Sequence, residues 1–279
     1  TTGDFKISGK VSSQYISGLM MALPLLEGNS RIEIEGELES ASYVDITLDV
    51  LAKYDIVWIK KVTKSGIAYE IPYKQIFNGP GEFHVEGDWS AAAFWLCAGA
   101  IGREKITVSD LNLSSAQGDK EIVEILKNFG AEVMEGDNSV TVSPSKLQGC
   151  DVDLSQIPDL GPAVALLAAA ACGKTHLKNA ARLRLKESDR LRAIAKTLKT
   201  LGGKVREKKD ELIIKGLAGG NLKGGRVESF NDHRIVMMEA IASLISDKKV
   251  IIEGKAAVAK SYPDFFDVMK AKGLDGNIE

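Results

Sequence analysis

The sequence predicts an α/β (α+β) chain made of four copies of one unit. Each copy runs helix, strand, helix, strand, strand, and a strand ahead of the first helix closes the set. Three observations predict this. First, polar capping clusters recur at a nearly fixed period: Ser12-Ser13-Gln14, Asp88-Trp89-Ser90, Asp159-Leu160-Gly161 and Asp232-His233-Arg234, with separations of 75, 71 and 73 residues. A fixed period marks a repeated architecture, and this one is too long for ankyrin or tetratricopeptide units. Second, each cluster opens an apolar run with helical spacing, followed by β-branched alternation. Third, 44% of residues are hydrophobic and 27% charged, the balance of an ordinary globular protein.

In chain order, the first unit predicts helix 15–26, strand 31–36, helix 44–54 and a strand near 56–59. The second predicts helix 91–100, strand 105–108, helix 120–129 and strands 131–135 and 139–142. The third predicts helix 162–172, strand 175–177, helix 187–201 and strands 204–207 and 211–214. Gly130, Gly202 and Gly203 follow helical runs where a left-handed residue ends a helix. A further helix is expected after Lys260-Ser261-Tyr262-Pro263. Asn78-Gly79-Pro80-Gly81 reads as a linker, placing one domain at 1–83 and a second at 84–279. The glycine-rich stretch 217–225 lacks a Gly-Lys-Ser/Thr signature and reads as a turn-rich connection, not a phosphate loop.

With 279 residues the chain can bury a substantial core. Its net charge of −2 gives no global electrostatic case for nucleic-acid binding. No apolar run reaches membrane-spanning length, and the N-terminus lacks a signal-peptide pattern. Cys97, Cys150 and Cys172 are scattered and odd in number, which fits a reducing cytoplasm better than a disulfide framework or zinc cluster. The three histidines have no metal-ligand spacing, so no metal is expected.

An anion site must therefore be local. The stretch 184–191 crowds cations and carboxylates ahead of an amphipathic run, and Asn231-Asp232-His233-Arg234 opens the next unit's helix. Unpaired N–H groups at helix starts attract anions. On the predicted helix, Lys186 and Arg190 are four apart and share a face, and Glu187 is spaced to pair with Arg190. Ser12, Ser13 and Gln14 suit a phosphate and equally a helix cap. Ser40 and Tyr43 precede the first unit's second helix, where a cap and a packed ring are the plain reading. The recurrence of Asp88, Asp159 and Asp232 favours capping, although Asp159, fixed by Pro158, is also a candidate base. Lys260 reads either as a solvated lysine or as an anion ligand.

At these residues the chain resembles 3-phosphoshikimate 1-carboxyvinyltransferase (EPSP synthase). The resemblance lies in Val11-Ser12-Ser13-Gln14, Tyr43-Val44-Asp45-Ile46-Thr47, Val85-Glu86-Gly87-Asp88, Gln117-Gly118-Asp119, Lys186-Glu187-Ser188-Asp189-Arg190, Asn231-Asp232-His233-Arg234 and Ala259-Lys260-Ser261-Tyr262-Pro263-Asp264-Phe265-Phe266, in family order across nearly the whole chain. It implies repeated βαβαββ units in a two-domain, inside-out-barrel enzyme. It also implies transfer of the enolpyruvyl group of phosphoenolpyruvate to the 5-hydroxyl of shikimate 3-phosphate, in aromatic amino acid biosynthesis. No cofactor, nucleic-acid partner or membrane partner is implied. The family is the target of glyphosate, and the whole enzyme is expected to be a cytoplasmic monomer.

By matching positions, Ser12, Ser13, Gln14, Ser40, Tyr43, Asp159 and Lys186 would contact shikimate 3-phosphate. Gln14, Arg190, Arg234 and Lys260 would contact phosphoenolpyruvate. Asp159 would take the hydroxyl proton, and Glu187 would serve proton transfer at the methylene carbon. Arg182 stands where some members carry a substrate-contacting Asn, so that role is not carried over.

The resemblance also predicts that two of six units are absent and that the chain is a C-terminal fragment of about two thirds. The pair of substrates brings a charge of about −5 to −6. Lys186, Arg190, Arg234 and Lys260 bring four positive charges, from which Asp159 and Glu187 subtract two. The fragment is therefore expected to bind weakly and not turn over. Two other readings fit the same residues: UDP-N-acetylglucosamine enolpyruvyl transferase, which shares the fold, and a non-catalytic anion-binding module.

Overall fold

Short capped helices alternate with half-buried strands in the predicted order. The computed structural model describes residues 1–10 and 12–279; Val11, which opens the segment ending in Gln14, lies outside them. Backbone contacts divide the chain into two units, one of residues 1–85 with 114–118 and one of residues 86–113 with 119–279.

The first unit contains β1 (Asp4–Ser8), α1 (Ser13–Ala22), β2 (Ser30–Glu35), α2 (Ala41–Lys53), β3 (Ile59–Val62) and β4 (Gly66–Ile71). Its sheet order is β1-β2-β4-β3. β1 and β2 are parallel, as a helical crossover requires, and the remaining pairs are antiparallel. The alternation of β2 turns Ile32 and Ile34 inward, where they meet Ile16 and Met20 of α1 and Val44 and Leu51 of α2. β4, which the sequence reading did not place, follows the turn at 63–66 and buries Tyr69 and Ile71 in the same core.

The second unit begins with α3 (Trp89–Ile101), β5 (Ile106–Ser109), α4 (Ile122–Asn128), β6 (Glu132–Gly136) and β7 (Ser139–Ser143). It continues with β8 (Asp151–Asp153), α5 (Gly161–Ala170), β9 (Lys174–Lys178), α6 (Arg190–Thr200), β10 (Lys204–Glu207) and β11 (Leu212–Lys215). Last come β12 (Gly225–Glu228), α7 (His233–Ala242), β13 (Val250–Glu253) and α8 (Phe265–Ala271). The order β8-β9-β11-β10, with β8 parallel to β9, reproduces the order and strand directions of the first unit's sheet. The βαβαββ unit is thus directly visible in two copies.

A backbone signature marks all four repeats. The strand after each opening helix ends in a left-handed residue: Gly36, Asp110, Asn179 and Gly254. Gly, Asp and Asn tolerate that conformation best, so the turn is written in the sequence. In the second unit α3, α5 and α7 are buried on nearly every side and pack on one another, the reverse of a sheet-centred α/β protein. Their alanine-rich sequences permit close approach, and the sheets' buried faces close over them.

One expected boundary is wrong in a way that matters. The helix predicted over 187–201 begins at Arg190, because the Asp189 carboxylate accepts from the Arg192 N–H and caps it there. Lys186 ends a 3-10 turn (Ala181–Leu185) with extended backbone. Lys186 and Arg190 therefore do not share a helix face. The three cysteines are unpaired, and burial pushes the Cys97 thiol well above its ordinary range. Among the described residues no helix is long and apolar enough to cross a membrane.

Candidate active site

In the second unit the central residue is Arg190, fully buried at the start of α6. A buried guanidinium must be paired, and three carboxylates surround it. Its Nε donates to Asp232 Oδ2 at 2.8 Å and its Nη2 to Asp232 Oδ1 at 3.2 Å, a two-toothed grip. Its Nη1 donates to Asp159 Oδ1 at 2.6 Å, and its Nη2 also reaches Glu187 Oε2. Burial alone would lower the Arg190 pKa. The hydrogen bond and charge of Asp232, followed by the charges of Asp159 and Glu187, outweigh burial and hold it above the usual value.

Asp159 lies in the 3-10 turn Pro158–Leu160, which leads into α5. Its Oδ1 also meets Lys186 Nζ at 3.1 Å and Arg234 Nε at 3.7 Å. One carboxylate oxygen thus gathers three cations from three separate segments. Lys186 and Arg190, denied a common helix face, meet here instead.

Asp232 is as buried as Arg190 and does two jobs. It caps α7 by accepting from the Arg234 N–H at 3.0 Å, and it accepts from the Ser188 hydroxyl at 2.9 Å while gripping Arg190. Burial would raise its pKa, but the hydrogen bond and charge of Arg190 dominate and lower it. Phe230 and Asn231, just before it, are both left-handed. Consecutive non-glycine residues in that region persist only where surrounding structure enforces them. Here Lys260 Nζ donates to the Asn231 carbonyl at 2.5 Å, which ties the end of the 3-10 turn Lys255–Lys260 to the start of α7. His233 is largely buried; burial first, and the Arg234 charge second, lower its pKa and favour the neutral ring.

Asp119 completes the cluster. It is buried, accepts from the Ser90 hydroxyl in the first turn of α3, and has its pKa pushed up to about 6 by burial and by the neighbouring Asp159 charge. The starts of α3, α5 and α7 thus contribute to one polar cluster, and helix N-termini add partial positive charge there.

The structure brings together Asp159, Lys186, Glu187, Arg190 and Arg234, all singled out in the sequence, and sets Lys260 against the Asn231 carbonyl. Sequence reasoning took Asp232 for a cap alone and gave Asp119 no role. The signal for Asp232 was its place in the cluster of Arg234. For Asp119 the signal was its motif, Gln117-Gly118-Asp119.

In the first unit, Ser12 caps α1 by accepting from the Gln14 N–H at 3.3 Å. Ser13 is buried and Gln14 is exposed beside it. Ser40 is buried and left-handed immediately before α2, with Tyr43 in that helix's first turn. The Ser17 and Thr47 hydroxyls hydrogen-bond at 2.7 Å, and Thr47 donates to the Tyr43 carbonyl at 2.9 Å, so the middles of α1 and α2 are tied together. Gln14 also lines an open cleft of about 720 Å³ with Lys6, Ser8 and Tyr15. Among the described residues no group of three or more His, Cys, Asp or Glu side chains could hold a metal ion.

Comparisons with known proteins bear on the family and the fold. The family model for EPSP synthase (3-phosphoshikimate 1-carboxyvinyltransferase) matches residues 1–269. The 3-phosphoshikimate 1-carboxyvinyltransferase of Clostridium kluyveri is 47% identical over 98% of this chain, and that of Methanococcus maripaludis is 40% identical over 98%. The chain spans 62% and 63% of those two proteins. Among solved structures, EPSP synthase from Acinetobacter baumannii superposes with a TM-score of 0.71 at 25% identity, covering 98% of this chain and 63% of that one. The enolpyruvyl transferase NikO from Streptomyces tendae shares the fold, with a TM-score of 0.70 at 18% identity over 98% of this chain and 64% of that one. With nearly its whole length matched by the family model and relatives 40–47% identical, the chain belongs to the EPSP synthase (3-phosphoshikimate 1-carboxyvinyltransferase) family.

Proposed function

We propose that this chain supplies part of the machinery that transfers the enolpyruvyl group of phosphoenolpyruvate to the 5-hydroxyl of shikimate 3-phosphate. The observation that carries the reading is the convergence of Lys186, Arg190 and Arg234 on Asp159 at helix starts. Arg forks suit the carboxylate and phosphate of phosphoenolpyruvate, and Arg190, Arg234, Lys260 and Gln14 are assigned to it. Ser12, Ser13, Gln14, Ser40, Tyr43, Asp159 and Lys186 are assigned to shikimate 3-phosphate.

The reaction is an addition followed by an elimination. The 5-hydroxyl oxygen of shikimate 3-phosphate bonds to the phosphate-bearing carbon of phosphoenolpyruvate and gives its proton to Asp159, while the methylene carbon gains a proton. The carbon–phosphate oxygen bond then breaks, and the methyl carbon returns a proton, a transfer assigned to Glu187. Fixed cations meet the charge on the leaving phosphate. The site uses no metal or cofactor in this reading. The whole enzyme acts as a cytoplasmic monomer; the three unpaired cysteines support that compartment.

The test is a parallel amide-shift titration of this chain with shikimate 3-phosphate and with UDP-N-acetylglucosamine. A response at Lys186 and at the starts of α1 and α2 to shikimate 3-phosphate, with none to the nucleotide sugar, is expected. An equal or stronger response to the nucleotide sugar overturns the reading. With both proposed substrates present, this chain alone is expected to release no phosphate.

A further inference from the structure

We propose that Arg184, which is not among the residues assigned to either substrate, is a positioning residue that holds Lys186 and Glu187 in place; the inference rests on the functional reading above. Residues 186–189 form a short loop between the 3-10 turn Ala181–Leu185 and the start of α6. The side chains of Lys186, Glu187 and Ser188 reach Asp159, Arg190 and Asp232, but the backbone that carries them has little support of its own. Leu185 is 85% exposed, Lys186 is extended, and the Arg190 N–H reaches back only as far as the Ser188 carbonyl, at 2.8 Å. Yet this loop carries two of the assigned site residues.

Arg184 closes the loop at both ends. Its Nη1 donates to both oxygens of Asp189, at 3.1 and 2.8 Å, and Asp189 caps α6. The same guanidinium reaches the turn between β10 and β11. Its Nε donates to the Lys209 carbonyl at 2.8 Å, its Nη2 to the Lys208 carbonyl at 2.7 Å, and its Nη1 lies 2.9 Å from Glu207 Oε1. Burial would lower the Arg184 pKa, but the hydrogen bonds of Glu207 and Asp189 raise it, so the cation persists.

An ordinary surface ion pair contributes little and holds nothing in particular. This group differs because two of its partners are backbone carbonyls of a rigid hairpin, and the rest are carboxylates on the strand before that turn and at a helix start. Only a planar fork with several donors can reach all of them. The hairpin therefore acts as a fixed wall, and Arg184 fastens the loop against it. Gly161 adds a second constraint: a side chain there would meet Leu183 of the same turn at 2.7 Å, so the turn lies tight against the start of α5 and beside Asp159.

The experiment compares the wild-type chain with Arg184→Ala and Arg184→Lys, by amide hydrogen exchange and by shift titration with shikimate 3-phosphate. Freeing Lys186 and Glu187 in Arg184→Ala is expected to weaken binding about tenfold and to speed exchange at 186–189 while α3 and α5 keep their protection. Arg184→Lys restores the charge without the fork and is expected to recover only part of the affinity. Guanidinium ion at a non-denaturing concentration is expected to rescue Arg184→Ala and to leave wild type unchanged. Unchanged exchange at 186–189 overturns the proposal, as does faster exchange spread through α3 and α5, which would mark Arg184 as merely structural. If wild type ignores shikimate 3-phosphate, the functional reading falls, and the exchange arm still decides whether Arg184 holds the loop.

Discussion

Replacing Glu239 with Gln should remove a pH-dependent loss of stability from this chain. Glu239 sits within α7, fully buried, with its Oε1 accepting from the Thr197 hydroxyl of α6 at 3.0 Å. Its Oε2 is buried without a hydrogen-bond partner among the described residues. Burial pushes its pKa from 4.5 up to about 8, the Thr197 hydrogen bond opposes that, and the Glu228 charge adds to it. The folded chain therefore keeps a proton that the unfolded chain releases. Stability falls as pH rises from about 4.5 to about 8 and levels off above, by about 1.4 kcal/mol per pH unit, or on the order of 5 kcal/mol in all. Glu239→Gln keeps an acceptor for Thr197 and cannot ionise. Urea unfolding followed by the fluorescence of Trp89 and Trp95, both in the same unit, measures the difference. The variant should be no more stable than wild type near pH 4.5 and several kcal/mol more stable near pH 8.5. Parallel stability curves for the two chains across that range would show that Glu239 does not hold its proton in the fold, and would refute the reasoning.

Two other substitutions probe the site itself. Asp232→Asn keeps an acceptor for the α7 cap but leaves Arg190 without its two-toothed anion; breaking such a buried pair costs about 3–5 kcal/mol, read as a lower urea midpoint, with weaker phosphoenolpyruvate binding in whatever folds. Gly161→Ala brings a methyl group within 2.7 Å of a Leu183 side-chain carbon; it should cost about 1–3 kcal/mol, and adding Leu183→Val should restore part of the loss because the obstacle is a flexible side-chain end.

The repeat was legible because its markers are local. Capping residues at Asp88 and Asp232 declare their geometry through residue type alone, whereas the left-handed Gly36, Asp110, Asn179 and Gly254 came from the structure. The cations of the site were legible for a related reason: charge at the start of an apolar helix is conspicuous in sequence. The start of α6 was not legible, since Lys186-Glu187-Ser188 has the composition of a helix turn and only the Asp189 cap fixes Arg190 as the first helical residue. The roles of Asp232, Asp119 and Arg184 were hidden because their partners lie 42 (Arg190), 29 (Ser90) and 25 (Lys209) residues away. Those pairings depend on which units pack side by side, information that a period supplies only in outline.

The third carboxylate changes what the cage can do. Lys186, Arg190, Arg234 and Lys260 give four positive charges, and Asp159, Glu187 and Asp232 remove three, so the excess is about one rather than the two counted from sequence; Asp119, with its pKa pushed up to about 6, removes most of that one at and above neutral pH. Asp232 cannot be spared, because Arg190 has no exposure and an unpaired buried guanidinium would not persist. Its grip commits two of the three Arg190 nitrogens and aims the fork before any ligand arrives. Preorganisation of this kind favours catalysis, since the cations do not reorient as charge develops. It also lowers the attraction available for binding. Against a substrate pair of about −5 to −6, at most one net charge and the partial charges of a few helix starts fall far short. Turnover in the proposed reaction therefore needs cations that this cage does not hold, and the cage's own contribution is orientation more than affinity.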